Sequence, residues 1–142
     1  YCDTLGYEDP GTAYKRIYEL AKATDMPIEV HYHNDLGMAV ACSVMGARGA
    51  IDAGVDTYIN TAINGMGERA GNADLVSCLL AILKSAGFKN KYKIDEKIDL
   101  SKAWKLAKYT AYAFGVDIPI NQPAVGDNAF AHESGIQDHK FL

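Results

Sequence analysis

The chain lacks the features that would tie it to a membrane or to nucleic acid. Its 142 residues contain no run of about 18 apolar side chains, the length that a helix needs to span a bilayer. No secretory signal is visible at its start. Acidic residues outnumber basic ones by 18 to 14, which gives a net charge of -4. Because phosphate binding needs a basic face, this balance argues against nucleic acid as the main partner.

Cysteine is also scarce, and its spacing does not suggest pairing. Cys2, Cys42 and Cys78 are the three copies, and none belongs to a C-x-x-C motif. An odd, scattered set predicts free thiols in a reducing compartment, so we expect a cytoplasmic protein. The chain opens on Tyr1 rather than Met, in what looks like the end of a strand. That start predicts a segment of a longer protein.

What the sequence does contain is a regular alternation of helical and extended patterns. The alternation predicts βαβ units and a parallel sheet, and strands recur at a spacing of about 30 residues, typical of such units. A complete eight-stranded α/β barrel needs roughly 250 residues, so only the last part of a (β/α)8 TIM barrel would fit here. Helices are predicted from Pro10 to a break at Asp25, from Met38 to Gly54 and from Leu75 to Gly87, and strands at 28–33 and 57–63.

The composition changes from about Phe88 onward. A charged connector leads to an amphipathic pattern that Ser101 could cap, and an extended loop with Pro119 and Pro123 follows. The sequence therefore predicts two parts: a barrel part at 1–87 and a small helical segment at 88–142.

Two histidines stand at the end of the first predicted strand. His31 and His33 are separated by one residue, and side chains at that spacing point to the same face of a strand. Two imidazoles at the carboxyl end of a parallel strand can reach one metal ion, and that end is where α/β barrels place their chemistry. The alternative is a pair of strand histidines that simply meet polar neighbours.

A glycine-rich loop follows the second predicted strand, with the sequence Asn-Gly-Met-Gly-Glu-Arg-Ala-Gly-Asn at 64–72. Its glycines allow a tight bend and a close approach to a ligand. Glu68 and Arg69 lie in the bend, and Asn72 comes just before a helix. The structural alternative is a plain turn in which Glu68 pairs with Arg69 and Asn72 caps the helix. The loop lacks the G-K-[ST] ending of a phosphate-binding loop.

Four motifs together resemble successive motifs of the isopropylmalate, homocitrate and citramalate synthases. They are Cys-Asp-Thr-Leu-Gly at 2–6, His-Tyr-His-Asn-Asp at 31–35, the glycine-rich loop at 64–72, and Asn-Ala-Phe-Ala-His-Glu-Ser-Gly-Ile at 128–136. Order and spacing also agree, and the resemblance covers essentially the whole chain. It implies a metal-dependent acyltransferase that condenses acetyl-CoA with a 2-oxo acid and then hydrolyses the thioester.

The resemblance also implies roles for particular residues. His31 and His33 would be ligands of a divalent metal ion (Mg, Mn or Zn) on the seventh barrel strand, and Asn72 would be a third ligand after the eighth. The family's aspartate ligand and catalytic arginine belong to a first strand that this chain does not contain. A homodimer is implied as well, because the family's helical region reaches over a neighbouring subunit's active site.

The same resemblance supplies candidate catalytic and substrate residues. Glu68 is a candidate for proton transfer at the acetyl group, and His132 is a second catalytic candidate, with a structural histidine as its alternative. Thr4 would hydrogen-bond the carboxylate of the 2-oxo acid. Asn34 is a candidate substrate contact that could instead orient the histidines or cap the next helix.

One position departs from the family pattern. Family members usually follow Ser-Gly-Ile with a histidine, whereas this chain has Gln137 there and a histidine only at His139. The family's catalytic histidine therefore cannot be carried over to this position. His139 could substitute after a local shift, or the chain could be impaired at that step.

Other functions stay open at this point. Lyases of 3-hydroxy-3-methylglutaryl-CoA and biotin-dependent carboxyltransferases resemble the synthases in barrel and H-x-H site. A non-catalytic fragment acting in assembly is a further alternative. Among the synthases, homocitrate synthase and isopropylmalate synthase are the two expected types.

Overall fold

A computed structural model describes residues 1–131 of the chain. Three strands alternate with helices in this part: β1 (Cys2–Asp3), β2 (Ile28–Tyr32) and β3 (Thr57–Asn60). All pair in parallel in the order β1-β2-β3, with Cys2 opposite His31 and His31 opposite Asn60. The predicted α/β class with a parallel sheet is confirmed.

Helix α1 (Pro10–Thr24) begins and ends where its sequence predicts. Asp9 caps it by accepting hydrogen bonds from the amides of Gly11 and Thr12, at 2.9 and 3.0 Å, and Pro10 supplies a preset φ for the first turn. The backbone of Asp25 is left-handed and ends the helix.

Helix α2 (Ala39–Ala53) crosses α1 at very short range. A Cβ atom placed on Gly49 would lie 2.4 Å from the carbonyl oxygen of Tyr14, so only glycine permits this approach. The two helices and the inner face of β2 form the main core, in which Ile17, Val30 and Ala50 are fully buried. Burying one Val or Ile side chain contributes about 1.5–3 kcal/mol, so this interface anchors the sheet.

Side chains along β2 alternate between the buried core and the opposite face of the sheet. Ile28, Val30 and Tyr32 point into the helical layer and are buried. Glu29 and His31 therefore point to the opposite face, since neighbouring side chains on a strand alternate. The polar residues of the candidate site thus share a face that the hydrophobic core leaves free.

The loop after β3 contains one structural surprise. Strand β3 stops at Asn60, three residues earlier than predicted, because Ala62 forms an isolated bridge with Asp74 and a 3₁₀ turn (Ile63–Gly65) follows. Asp74 caps helix α3 (Leu75–Lys84) by accepting from the amide of Ser77. The capping alternative for Asn72 is therefore wrong, since that residue pairs with His33 in an isolated bridge.

The segment after α3 differs in detail from its prediction. Helix α3 ends at Lys84 rather than at Gly87. Asp99, not Ser101, caps the following 3₁₀ turn (Leu100–Lys102) and accepts from the Ser101 amide at 3.0 Å. Helix α4 (Ala103–Phe114) then runs to a left-handed Gly115.

A second, smaller core joins the two predicted parts. Val76 of α3 packs with Ala107 of α4 and with Val125 of the loop beyond it. The amide of Asn64 also donates to the carbonyl of Ala107 at 3.0 Å. The end of the sheet unit and α4 are therefore in direct contact, and a domain division at residue 87 stays a prediction. None of the helices within residues 1–131 combines the length and apolar character that a bilayer crossing requires.

Candidate functional site

The two histidines of the H-x-H motif converge on one point. The Nε2 atoms of His31 and His33 lie 3.2 Å apart, and the rings meet edge to face with centroids separated by 4.8 Å. His33 is buried, with 8% of its surface exposed, and its Nδ1 atom has no hydrogen-bond partner within the described residues. The prediction that the two histidine side chains point to the same face is therefore confirmed.

Backbone pairing places Asn72 next to the two histidines. It faces His33 in the isolated bridge, and its Oδ1 atom is buried without a hydrogen-bond partner among residues 1–131. A buried polar atom without a hydrogen-bond partner lowers the stability of the fold by about 1–3 kcal/mol. We therefore expect the Asn72 amide oxygen to have a bound ligand as its partner. Gly67 passes directly over it, because a Cβ there would lie 2.5 Å from Asn72 Nδ2.

The loop after β3 folds back over the end of β2. The amide of Asn34 donates to the carbonyl of Gly71 at 2.8 Å, and the amide of Ala73 donates to that of Tyr32 at 3.3 Å. These bonds bring Asn72 to the histidines although nearly forty residues separate them in sequence.

Arg69 connects this loop to the two loops beside it. Its guanidinium binds the Asp35 carboxylate through Nε at 2.8 Å and Nη2 at 2.9 Å, and Nη2 also donates to the carbonyl of Thr4 at 2.7 Å. The hydrogen bond from Arg69 lowers the pKa of Asp35, and the same contact raises the pKa of Arg69. The sequence alternative that paired Arg69 with Glu68 is a minor contact at 3.7 Å.

The other candidate residues are placed less closely around the histidines. Thr4 follows β1, and its hydroxyl is 3.6 Å from the Cys2 sulfur. The Asn34 side chain accepts from the backbone amide of Ala39, the first residue of α2, at 3.1 Å, although the N-cap residue of that helix is Met38. Glu68 has 79% of its side chain exposed and contacts Arg69. His132, Gln137 and His139 lie outside the described residues.

Two polar residues near the histidines, Glu29 and Asn60, were not predicted from the sequence. Asn60 Oδ1 lies 3.0 Å from His31 Nδ1, and Asn60 Nδ2 donates to Glu29 Oε1 at 2.9 Å. A signal for Glu29 existed, because it precedes His31 by two residues and shares its face. Asn60 required the register between β2 and β3, which the sequence does not supply.

The described residues contain no group of three or more His, Cys, Asp and Glu side chains that could hold a metal ion. What they contain is two imidazoles with a neighbouring amide. A metal at the usual 2.0–2.1 Å from two nitrogens holds those nitrogens about 2.8–3.4 Å apart, for octahedral to tetrahedral angles. The observed separation of 3.2 Å lies within that span.

Residues 1–109 match the model of the HMGL-like family, and the chain belongs to that family. It is 62% identical over 136 residues to citrate (Re)-synthase of Dehalococcoides mccartyi and 42% identical over 142 residues to homocitrate synthase 1 of a Nostoc species. It is 40% identical over 136 residues to 2-isopropylmalate synthase 2 of Caldanaerobacter subterraneus. These alignments cover 96%, 100% and 96% of this chain but only 33%, 35% and 33% of the relatives.

The fold has a counterpart among solved structures. It is similar to part of Rhizobium etli pyruvate carboxylase, with a TM-score of 0.57 and 24% sequence identity. The match covers 87% of this chain and 10% of that one. At this identity the likeness concerns the fold alone.

Proposed function

We propose that the chain is part of a synthase that condenses acetyl-CoA with a 2-oxo acid. Three relatives named as citrate, homocitrate and 2-isopropylmalate synthases support this class. The observation that carries the proposal is the convergence of His31 and His33 at 3.2 Å beside Asn72, whose Oδ1 atom has no hydrogen-bond partner within residues 1–131.

The proposed architecture is the last part of a (β/α)8 barrel followed by a helical segment. In this arrangement β2 and β3 are the seventh and eighth strands, and 1–87 and 88–142 are the two parts. Parallel pairing and strict βα alternation support it. The two predicted histidine ligands lie at the carboxyl end of β2, and the loop that carries Glu68 and Asn72 follows the carboxyl end of β3. That end of the strands is where barrels carry their active sites.

His31, His33 and Asn72 are the proposed ligands of Mg, Mn or Zn. Imidazole nitrogen and amide oxygen together suit all of these ions. The family resemblance adds an aspartate from a strand outside this chain. Bound there, the ion would polarise the ketone of the 2-oxo acid as a Lewis acid.

The remaining residues bind the substrate and move a proton. Among residues 1–131 the Thr4 hydroxyl makes only a long contact with the Cys2 sulfur, which leaves it able to donate to the substrate carboxylate. Asn34 would support the same end of the site. Glu68 is the proposed partner in proton transfer at the acetyl methyl group, and His132 is the second catalytic candidate. The exposed position of Glu68 leaves its carboxylate open to the thioester.

The reaction balances without an external oxidant or reductant. The acetyl methyl group loses a proton to a base, and the resulting carbanion forms a carbon–carbon bond to the ketone carbon. The ketone oxygen takes up a proton and becomes a hydroxyl group. Water then cleaves the thioester, which releases the CoA thiol and a new carboxylate.

For the substrate we propose a 2-oxo dicarboxylic acid. Identity to the citrate synthase is 62%, against 42% for the homocitrate synthase and 40% for the 2-isopropylmalate synthase. Citrate forms from oxaloacetate, and homocitrate forms from 2-oxoglutarate, so both products require a diacid. Oxaloacetate therefore comes first, ahead of 2-oxoglutarate and of the branched acid 2-oxoisovalerate.

A homodimer in the cytoplasm completes the proposal. Helix α4 carries large aromatic side chains that the described residues leave open, with Trp104 at 59% exposure and Tyr112 at 84%. Such a face suits burial against a second subunit. Light scattering of the full-length protein would measure the subunit count, and a monomer would contradict this part of the proposal.

The first experiment is CoA release by the full-length protein. Acetyl-CoA, Mg or Mn and a panel of oxaloacetate, 2-oxoglutarate and 2-oxoisovalerate are supplied, with a thiol reagent as readout. We expect release with oxaloacetate and its loss on chelation. Release with 2-oxoisovalerate alone would overturn the diacid assignment, and no release with any acid would overturn the synthase.

A biotin-dependent carboxyltransferase is the second candidate, because such enzymes resemble the synthases in barrel and H-x-H site. The discriminating feature is an Arg-Asp-x-x-Gln motif on the first strand of the full-length sequence, together with a C-terminal extension, which favour the synthase. An assay of carboxyl transfer from carboxybiotin to a 2-oxo acid, which releases biotin, would decide the matter directly.

A further inference from the structure

A hydrogen-bonded row of side chains runs across β2 and β3 beneath the histidine pair. It consists of Glu29, Asn60 and His31, in that order. The Asn60 amide nitrogen donates to Glu29 Oε1 at 2.9 Å, and Asn60 Oδ1 lies 3.0 Å from His31 Nδ1. The row follows the sheet register, in which His31 and Asn60 are paired residues and Glu29 precedes His31 by two.

The direction of this row follows from the chemistry of its groups. An ionised carboxylate only accepts hydrogen bonds, so the amide nitrogen of Asn60 must face Glu29. The amide oxygen must then face His31, and it also only accepts. The hydrogen between them therefore belongs to Nδ1 of His31. In a neutral ring this leaves the lone pair on Nε2, the atom that faces His33.

We propose that Asn60 and Glu29 are positioning residues that hold His31 in its Nδ1-protonated form, ready to bind a metal through Nε2. The inference rests on the metal site proposed above. Metal-bound histidines generally donate their second ring hydrogen to an acceptor, which fixes both the tautomer and the ring orientation. Here the acceptor is an amide oxygen, and the carboxylate fixes which way the amide faces.

The two histidines differ in this respect. His33 Nδ1 has no hydrogen-bond partner among residues 1–131, whereas His31 Nδ1 has Asn60. The row therefore acts on His31 alone. This asymmetry gives the inference its own signature, because the nitrogen atoms of the two rings should report different environments in the metal-free protein.

A merely structural role for Asn60 makes a different prediction. A cross-strand hydrogen bond could serve only to hold β3 against β2. Thr57 provides the matched control, since its hydroxyl donates to the carbonyl of Ile28 at 2.9 Å and joins the same two strands away from the histidines. Thr57→Val removes a comparable bond without touching the row.

The experiment measures the binding constant for Zn and Mn in the full-length protein by competition with a chelator. We expect Asn60→Ala to weaken binding by about 10- to 100-fold, the usual effect of losing such a partner. Thr57→Val should leave the constant within about twofold, because its bond lies outside the site. Melting temperatures of the two variants should be similar. Equal binding by Asn60→Ala and the parent protein would overturn the inference, as would an equal loss in Thr57→Val.

A double variant tests the direction of the row. In E29Q/N60D a glutamine amide donates to an aspartate carboxylate, which accepts from His31 in turn. Metal binding by the double variant should return to at least the parent level. Glu29→Gln alone allows the Asn60 side-chain amide to rotate by half a turn, and we expect it to weaken metal binding. If Asn60→Ala fails to fold, these two variants decide the question. Failure of the double variant to bind better than Glu29→Gln overturns the inference.

Nitrogen NMR of histidine-labelled, metal-free protein separates this inference from the proposed function. His31 should show a protonated Nδ1 in the parent protein and lose that preference in Asn60→Ala, with the signal assigned through His31→Gln. A parent protein that binds no metal contradicts the metal site. A His31 ring protonated at Nε2 contradicts the role of Asn60, whatever the metal does.

Discussion

Arg69 and Asp35 form a bidentate ion pair at the carboxyl end of the sheet, with Nε–Oδ1 and Nη2–Oδ2 separations of 2.8 and 2.9 Å. Because Arg69 also donates to the carbonyl of Thr4, one guanidinium ties together the loops that follow all three strands. Those loops carry the proposed substrate and metal residues within the described part of the chain, except His31, which lies in β2.

Arg69→Lys should impair turnover more than folding. A lysine keeps the charge but cannot reproduce the planar fork, so the loop would lose its fixed position relative to Thr4 and Asp35. A displacement of about 1 Å in a site can cost up to about 100-fold in rate. We expect a fall in kcat/KM of between about tenfold and 100-fold, measured by CoA release, with an unchanged circular dichroism spectrum.

Arg48→Lys is the matched control for this variant. Arg48 pairs with Asp52 one helical turn away on α2, at 3.3 Å, and stands apart from the three loops. Its substitution should leave kcat/KM unchanged. An equal loss in both variants would show that Arg69 has no special part in ordering the site.

His31→Ala and His33→Ala should each abolish metal-dependent turnover. Either change removes one of the two nitrogen donors that lie 3.2 Å apart. Metal content of the purified protein, measured by elemental mass spectrometry, should fall together with CoA release. Normal metal content and retained activity in both variants would sink the metal-site assignment.

Gly67→Ala should weaken metal binding with little effect on stability. The new methyl group would lie 2.5 Å from Asn72 Nδ2 and would push that amide aside. Asn72 is a proposed ligand, so we expect the Mn dissociation constant to rise by about tenfold or more. Calorimetric titration of the full-length protein measures it.

Gly87→Ala serves as the control for that substitution. A Cβ at Gly87 would meet nothing within 4 Å, so the same chemical change is made in open space. Its metal binding should match that of the parent protein. If Gly67→Ala also binds metal normally, Asn72 does not contribute in the way proposed.

Cys42 and Cys78 should resist alkylation in the folded protein at pH 8. Burial raises the pKa of Cys42 to about 11 and that of Cys78 to about 12. The reactive thiolate is then at most about one part in a thousand at pH 8, and it grows only as the pH rises toward those values. Peptide mass spectrometry after iodoacetamide treatment should find both thiols unmodified until urea unfolds the protein. Rapid labelling without urea would contradict the burial of these two side chains.

The sequence predicted helix and strand boundaries correctly where these depend on residues close together in the chain. The Pro10 start and Asp25 end of α1 depend on capping and φ preferences within a few residues, and both are confirmed. Alternation along β2 likewise placed His31 and His33 on one face. The resemblance carried by the first three motifs, at 2–6, 31–35 and 64–72, agrees with the family match over residues 1–109, and the fourth motif lies beyond that match.

Contacts between distant residues were the part that the sequence could not supply. A helix cap was the structural alternative to the predicted metal-ligand role of Asn72, because the residue shortly precedes α3, but the loop turns back toward β2 and Asp74 does the capping. Asn60 meets His31 only through the register of two strands. The Arg69–Asp35 pair spans 34 positions, and nothing local to either residue favours it over a pair with Glu68.

The tight crossing of α1 and α2 at Gly49 bears on how this region opens to solvent. With the Gly49 backbone almost against the carbonyl of Tyr14, neither helix can slide or tilt without breaking the contact along its length. Backbone amides in the middle of both helices should therefore show one common free energy of opening in deuterium exchange, as a single cooperative unit rather than helix by helix.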